Sequence, residues 1–351
     1  MRIVCFDPLT AGRLDWERFH TYRHARRAES DPDEPVISDA EVEEEERQPH
    51  PHVIRLRWLA LDEGRLVGSS VATLPTRESP GYAERARFLN AFGNVLSEMR
   101  RRGVGTRLIS QVHTVMCEHA QTTLTMMTYE ADGHAFLQRI GAQQKISNIE
   151  SRLRCDRLDA AQLAAWEKAA MASHQGLALE AYRGRVPFEV VEPLMPALSA
   201  LHEDAPWGDL DHAPVLLDIS HYREWYRQLD RVGGAHHLVL LRESDGQLVG
   251  VSDATWDPRT PQRAWQLFTG IGRQWRGGGL AKCLKAALLR QVRASHPSVA
   301  EMITSNASEN TAMLAVNARI GFGVFRTHGI YQIERDVLGA WLSSRVSHSR
   351  P

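Results

Sequence analysis

The sequence predicts an α/β protein built as two tandem copies of one strand-and-helix unit. Three observations lead there: a length of 351 residues, an ordinary soluble composition, and an internal repeat at a nearly constant offset. At roughly 150 residues per domain the length suggests two domains. With 43% hydrophobic and 24% charged residues the chain reads as globular, not as a disordered or coiled-coil protein. The repeat rests on three matches in the same order. Residues 63–73 (EGRLVGSSVAT) match 245–255 (DGQLVGVSDAT) at an offset of 182, residues 100–105 (RRRGVG) match 276–281 (RGGGLA) at 176, and residues 135–141 match 315–321 at 180. Self-similarity at a fixed period lends weight to motifs that would be weak if seen once.

Each copy opens with a strand, 2–6 and 177–182, and continues into helical sequence, 13–28 in the first copy and 188–201 plus 221–229 in the second. An Asp/Glu-Gly pair between two apolar runs then marks a hairpin. A third strand follows at 88–96 and 265–271, then a glycine-rich turn and a helix. The helices are recognised by apolar residues at helical spacing: Val104, Leu108, Val112 and Val115, and Leu280, Leu284, Ala287 and Leu288. A strand (123–128; 300–304), a short helix ending at Gly141 or Gly321, and a final strand close each copy. Between the copies, 159–173 reads as an alanine-rich helix with Asp159 as N-cap and Gly176 just beyond its end. The domains are placed accordingly at 1–157 and 177–351, with a linker helix at 158–176.

Charge narrows the function classes. Forty-two Lys plus Arg against forty-three Asp plus Glu leave a net charge of −1, so no overall basic field draws the chain to nucleic acid or to an anionic membrane. The four cysteines lie far apart without a C-x-x-C pair, which argues against a disulfide framework or a cysteine zinc site and fits a reducing cytoplasm. No run reaches about 18 uncharged apolar residues, so neither export nor a membrane span is expected. His50-Pro-His52 has no further ligands nearby in sequence, and no metal is expected. From 29 to 46, ten of eighteen residues are acidic, with Pro32 and Pro35 among them, which reads as a loop followed by a solvated acidic helix.

The Arg-x-x-Gly-x-Gly/Ala turn between a strand and a helix suits an anion for physical reasons. Glycine permits unusual φ/ψ and close approach, and the amides at the helix start, backed by the macrodipole, point outward. The second copy adds Thr304-Ser-Asn-Ala-Ser-Glu-Asn310, then Met313-Leu-Ala-Val-Asn317, ending in Ile320-Gly-Phe322. Together these residues resemble the GNAT superfamily of N-acetyltransferases, whose R/Q-x-x-G-x-G/A motif holds the pyrophosphate of acetyl-coenzyme A, and in particular its bacterial tandem-domain members. The likeness covers nearly the whole chain, including the loop 204–210 (DAPWGDL).

The resemblance implies two tandem GNAT-type domains, each with a mixed central sheet whose parallel middle strands splay apart to admit the pantetheine arm. It assigns acetyl-coenzyme A to Arg276, Gly277, Gly278, Gly279, Leu280 and Ala281, to Gly270 and Ile271 on the preceding strand, and to Asn306, Asn310, Met313 and Asn317. In the first copy it assigns the same role to Arg100, Arg101, Gly103, Val104, Gly105 and Thr106.

Acetyl transfer to an alkylamine needs a proton acceptor, because the amine is mostly protonated at neutral pH. Candidates are Asp253, which shares a strand face with Val251, and Asp204, Glu203 and Asp209 in the early loop, together with His236 and His237. An amide in the run 268–272 would stabilise the oxyanion. Many relatives place a Tyr four residues before the final Gly; here that position is Leu137 in the first copy and Asn317 in the second. Asn317 and Asn306 can hydrogen-bond the pantetheine amides or the acceptor, which favours the second copy as the catalyst. Trp207, Trp256 and Trp265 are placed to stack on an acceptor or to fill the core. The expected activity is transfer of an acetyl group to the amine of a small molecule by a monomer or homodimer. The alternatives are a coenzyme-A-binding sensor or scaffold without catalysis, and a tRNA-dependent aminoacyl transferase.

Overall fold

A computed structural model of the chain describes residues 1–347. The chain divides into two compact units: residues 1–145 with 210–213 and 329 onward, and residues 146–209 with 214–328. The last four residues of the second copy, to 351, lie outside the described residues.

The first unit begins with β1 (Arg2–Cys5), α1 (Arg13–Ser30) and α2 (Asp39–Glu46). The hairpin β2 (Val53–Asp62) and β3 (Arg65–Pro75) turns through Glu63 and Gly64, both at positive φ, as the Glu-Gly pair predicts. A one-turn helix, α3 (Tyr82–Arg85), precedes β4 (Phe88–Val95), α4 (Val104–Glu118), β5 (Thr123–Thr128) and α5 (Ala131–Arg139). The acidic stretch is only partly solvated: on α2 Glu43 bonds to His20 at 3.1 Å, and Arg57 pairs with Glu46.

β6 (Gln143–Arg154) leads into the second unit and is followed by α6 (Ala160–Ser173), β7 (Ala178–Tyr182), α7 (Phe188–Val191), α8 (Met195–Glu203) and α9 (Ile219–Arg231). Then come β8 (Ala235–Arg242), β9 (Leu248–Trp256), β10 (Arg263–Ile271), α10 (Leu280–Ser295), β11 (Glu301–Ala307) and α11 (Thr311–Ile320). β12 (Gly323–Glu334) and α12 (Arg335–Ser347) end the described chain.

Strand order is β1-β2-β3-β4-β5-β12 in the first unit and β6-β11-β10-β9-β8-β7 in the second. Each sheet is mixed: one parallel pair, β4 with β5 or β10 with β11, sits among antiparallel neighbours. The antiparallel partner of β5 and that of β11 each come from the other repeat. Residues 329–334 of β12 pair with β5, from Gly329↔Thr128 to Glu334↔Thr123, and residues 148–154 of β6 pair with β11, from Ala307↔Asn148 to Glu301↔Arg154. The repeat in the sequence, divided at 157 and 177, and the compact units thus differ at their last strands. Alternating polarity tells which face of a strand is buried but not which sheet it joins, so the exchange leaves no trace in the pattern.

Both cores form where the central helix covers the sheet. α4 buries Val104, Leu108, Ile109, Val112, Val115 and Met116 against it. α10 is buried almost all round, because α6 lies on its outer side through Leu163 and Ala170. The expected linker helix is therefore a packed part of the second unit, with Asp159 accepting the Gln162 amide at 3.0 Å as its N-cap.

Candidate active site

The two glycine-rich turns have the same backbone. Arg100 and Arg276 are extended (φ/ψ −65/159 and −71/157), Arg101 and Gly277 have positive φ, and Gly103 and Gly279 cap their helices at φ/ψ 80/2 and 81/3. Each motif arginine ties the turn to the strand behind it, its Nε donating to the carbonyl five residues earlier, Val95 at 3.2 Å or Ile271 at 3.0 Å. Among the described residues the amides of Gly277 to Ala281 meet no acceptor, so five consecutive donors stand at the N-terminus of α10. A phosphate group is the natural complement to such a cradle.

Ahead of the turn the parallel strands separate. Among the described residues β10 and β11 pair only at Arg263↔Glu301, Ala264↔Met302 and Trp265↔Ile303, after which β10 has no partner strand on that side. Along its other edge β10 pairs with β9, but a bulge interrupts the register between Gln266 and Thr269. Gly250 faces this region because nothing larger fits: a Cβ there would lie 2.5 Å from Ile271 Cδ1 and 2.8 Å from the Gly270 carbonyl. Asn306 on β11 accepts a hydrogen bond from the Asn317 amide at 2.7 Å. Asn317 is buried, and its own Oδ1 has no partner among the described residues. An unsatisfied buried carbonyl is a standing request for a donor, which an amide of a pantetheine arm would supply. Asn310 caps α11 by accepting the Met313 amide at 3.2 Å, so its side chain acts locally, and Met313 is half-buried on the first turn.

The expected proton acceptors fall into different surroundings. Asp204 is gripped by Arg273, whose Nε lies 2.8 Å from both carboxylate oxygens, and by Arg276 at 3.0 Å. The Arg273 hydrogen bond, with help from Arg276, holds its carboxyl below the usual range, which makes it a weak base. Asp253 is buried, with Oδ1 accepting the Phe268 amide at 2.8 Å and Oδ2 facing His236 Nε2 at 3.3 Å. Glu203 accepts the Val215 amide at 2.7 Å, and Asp209 is exposed. Burial, followed by the neighbouring His296 and His236, lowers His237 to about 4; its Nε2 lies 2.9 Å from His296. Of the run 268–272, Phe268 gives its N–H to Asp253, Gly272 gives its own to Val249 at 2.9 Å, and by strand alternation Gly270 is spent on its ladder partner Val251, which leaves the Thr269 and Ile271 amides, on the opposite edge, as oxyanion donors to consider.

His202 is a residue that sequence reasoning missed. Its ring stacks on Phe268 at a centroid distance of 3.7 Å, directly at the bulge, and burial lowers its pKa so that the imidazole is neutral at pH 7. The only signal was its place two residues before Asp204 at the end of an apolar helix. Trp256 packs on His296 at 4.0 Å and donates to the Pro261 carbonyl, while Trp265 is exposed.

No protein-family model matches the sequence, and no curated protein matches it. Solved structures do. A tandem GNAT protein from the clavulanic acid biosynthesis pathway, determined without acetyl-coenzyme A, is 21% identical with a TM-score of 0.68, over 95% of this chain and 98% of its own. The chain has the tandem GNAT fold. A GCN5-related N-acetyltransferase from Sphaerobacter thermophilus is 16% identical with a TM-score of 0.62, covering 95% of this chain and 96% of its own. A GCN5-related glucosamine N-acetyltransferase region of a fungal multi-domain β-N-acetylglucosaminidase is 13% identical with the same TM-score, and there the match spans 38% of the solved chain.

The first GNAT unit keeps the turn but has filled its surroundings. Arg100 donates to Asp132 at 2.8 Å and to Glu130 at 2.7 Å, and Arg101 reaches Asp132 at 3.2 Å. At the end of β4 the Ser97 amide and hydroxyl both donate to Glu29, at 3.0 and 2.8 Å, so a carboxylate of the chain already holds the donor beside the strand end. Leu137 stands where the second GNAT unit has Asn317 and is buried in the core. β4 also pairs with β3 in unbroken register from Thr73↔Asn90 to Gly68↔Val95, without a bulge. Among the described residues no group of three or more His, Cys, Asp or Glu could hold a metal ion, and no helix is long and apolar enough to cross a membrane.

Proposed function

We propose that the chain is an acetyl-coenzyme A dependent N-acetyltransferase acting on the amine of a small molecule, with the second GNAT unit as the catalyst. The observation that carries the coenzyme A reading is the row of five acceptorless amides, Gly277 to Ala281, set behind the gap between β10 and β11; the first unit has a like turn and a like gap, so the choice of the second unit rests on its bulge and on Asn317. The N-acetyltransferase names of the structures sharing this fold support it. When bound, acetyl-coenzyme A supplies a thioester carbonyl open to attack by an amine. The turn amides would hold its pyrophosphate, and the Asn317 carbonyl would accept from an amide of its arm. The Thr269 and Ile271 amides face the gap and would meet the carbonyl, and the neutral His202 ring beside the bulge would take the amine proton. The occupied Ser97 donor and Leu137 argue against the first unit in this role.

Following free thiol release from acetyl-coenzyme A across a panel of amines tests the reading. Turnover with at least one amine is expected, with kcat lowered about 100-fold in His202→Ala and coenzyme A binding retained. Tight coenzyme A binding without turnover on any amine would instead favour the sensor, the reading suggested by the absence of a Tyr at positions 137 and 317.

A further inference from the structure

We propose that Asp253 and Lys285 are positioning residues that lock the bulge of β10 from opposite faces of the sheet and so aim the strand's amides into the gap. This rests on the second unit being the acyltransferase. A bulge leaves one residue outside the ladder, and its buried N–H needs an acceptor from elsewhere. Asp253 provides one: Oδ1 takes the Phe268 N–H at 2.8 Å. Behind Asp253 the fully buried His236 lies 3.3 Å from Oδ2, and its Nδ1 is 2.7 Å from the Tyr226 hydroxyl, which in turn accepts the Val186 amide at 3.1 Å. The carboxylate is thus held by a chain of buried groups.

Ser252, next to Asp253 on β9, points to the other face by strand alternation, and a second network lies there. Its hydroxyl is 2.7 Å from that of Thr269, and the Gln266 amide donates to both, at 3.0 and 3.1 Å. Gln266 and Thr269 flank the bulge, so the Gln266 side chain bridges it. Lys285, on α10, donates from Nζ to Gln266 Oε1 at 2.7 Å and fixes which way that amide faces. Lys285 is 1% exposed, with the Phe322 ring 5.4 Å from Nζ and no carboxylate paired to it among the described residues. A buried ammonium without a counter-charge is costly, so its retention in a core helix points to what it holds.

The first unit is a built-in control. Matching the strand registers places Val71 at Asp253, Arg55 at His236, Ala91 at Gln266 and Gly93 at Thr269, and the offset of 176 places Ile109 at Lys285. Where every one of these clamp residues is replaced, the bulge is absent.

The test uses the full chain labelled with [15N]phenylalanine, without donor, and then steady-state kinetics. In Asp253→Val the Phe268 amide is expected to shift and to exchange with solvent at least about 100-fold faster, with kcat down about 30-fold and KM for acetyl-coenzyme A within about 2-fold. Asp253→Asn keeps an oxygen for the Phe268 amide and is expected to restore slow exchange and most of kcat. Lys285→Met is expected to shift the Phe268 amide and lower kcat about 10-fold, again without a change in KM. An undisturbed Phe268 amide in both Asp253→Val and Lys285→Met, or an Asn variant as damaged as the Val variant, overturns the clamp. If the wild type acetylates no amine, the acyltransferase reading fails while the amide readout still decides the clamp.

Discussion

Gly279→Leu is expected to raise the dissociation constant for coenzyme A at least about 100-fold, close to 3 kcal/mol, and to stop acetyl transfer while leaving the fold intact. Gly279 caps α10 at φ +81, where an L side chain adds strain of about 1–2 kcal/mol, tolerable in a well-packed domain. A Cβ there meets only Lys282 Cε, at 3.7 Å, so the new side chain projects into open space over the five amides, where the pyrophosphate would arrive. Gly103→Leu is the matched control. Its φ is +80 and nothing lies within 4 Å of its Cβ, so the backbone strain is the same and the two melting temperatures should fall alike. Turnover in the Gly103 variant should drop by no more than about 3-fold, since the donor beside that turn is already held by Glu29. Isothermal titration with coenzyme A and a thiol-release assay read both effects. Unaltered coenzyme A affinity in Gly279→Leu sinks the turn as the pyrophosphate site, and a dead Gly103→Leu reverses the assignment of the working unit.

How far the sequence could be read follows from what local chemistry requires. The turns were legible because positive φ at 277 and 279 requires glycine or strain, and α10 because its apolar residues keep helical spacing. The Asn306–Asn317 pair was legible through a motif, and the structure joins them at 2.7 Å. Distance in the chain hid the rest. Asp204 reads as a free carboxylate until Arg273 and Arg276, 69 and 72 residues on, are folded against it. Asp253 reads as a strand-face base, yet its acceptor capacity goes to the Phe268 amide, and only strand register reveals the extra residue that leaves this amide without a ladder partner. Lys285 breaks the apolar pattern of α10 in a way that composition cannot explain, since its partner Gln266 sits 19 residues upstream on another element.

Lys285→Met is expected to stabilise the protein at pH 6 and to flatten the rise in stability toward alkaline pH. Burial lowers the Lys285 amine from 10.5 to about 7. Below pH 7 the folded and unfolded chains both bind the proton, and the folded state bears the full cost of a buried ammonium. Between 7 and 10.5 the unfolded chain holds a proton that the folded chain has released, so stability rises with pH through that window and levels off above it. The span corresponds to at most about 5 kcal/mol, reduced by water access and by the hydrogen bond lost to Gln266. Cys283, pushed up to about 11 by burial on the same helix, works in the opposite direction above pH 9, but it is present in both proteins and cancels in the difference. Urea unfolding of the two proteins at intervals from pH 6 to 10 gives that difference directly. It should favour Lys285→Met by its full margin near pH 6 and shrink as pH rises above about 7, and parallel curves would mean that the amine keeps its ordinary titration in the fold. A variant that is more stable yet slower would also locate the reason a lysine persists in a core helix: the residue is kept for the strand geometry it enforces, at the expense of stability.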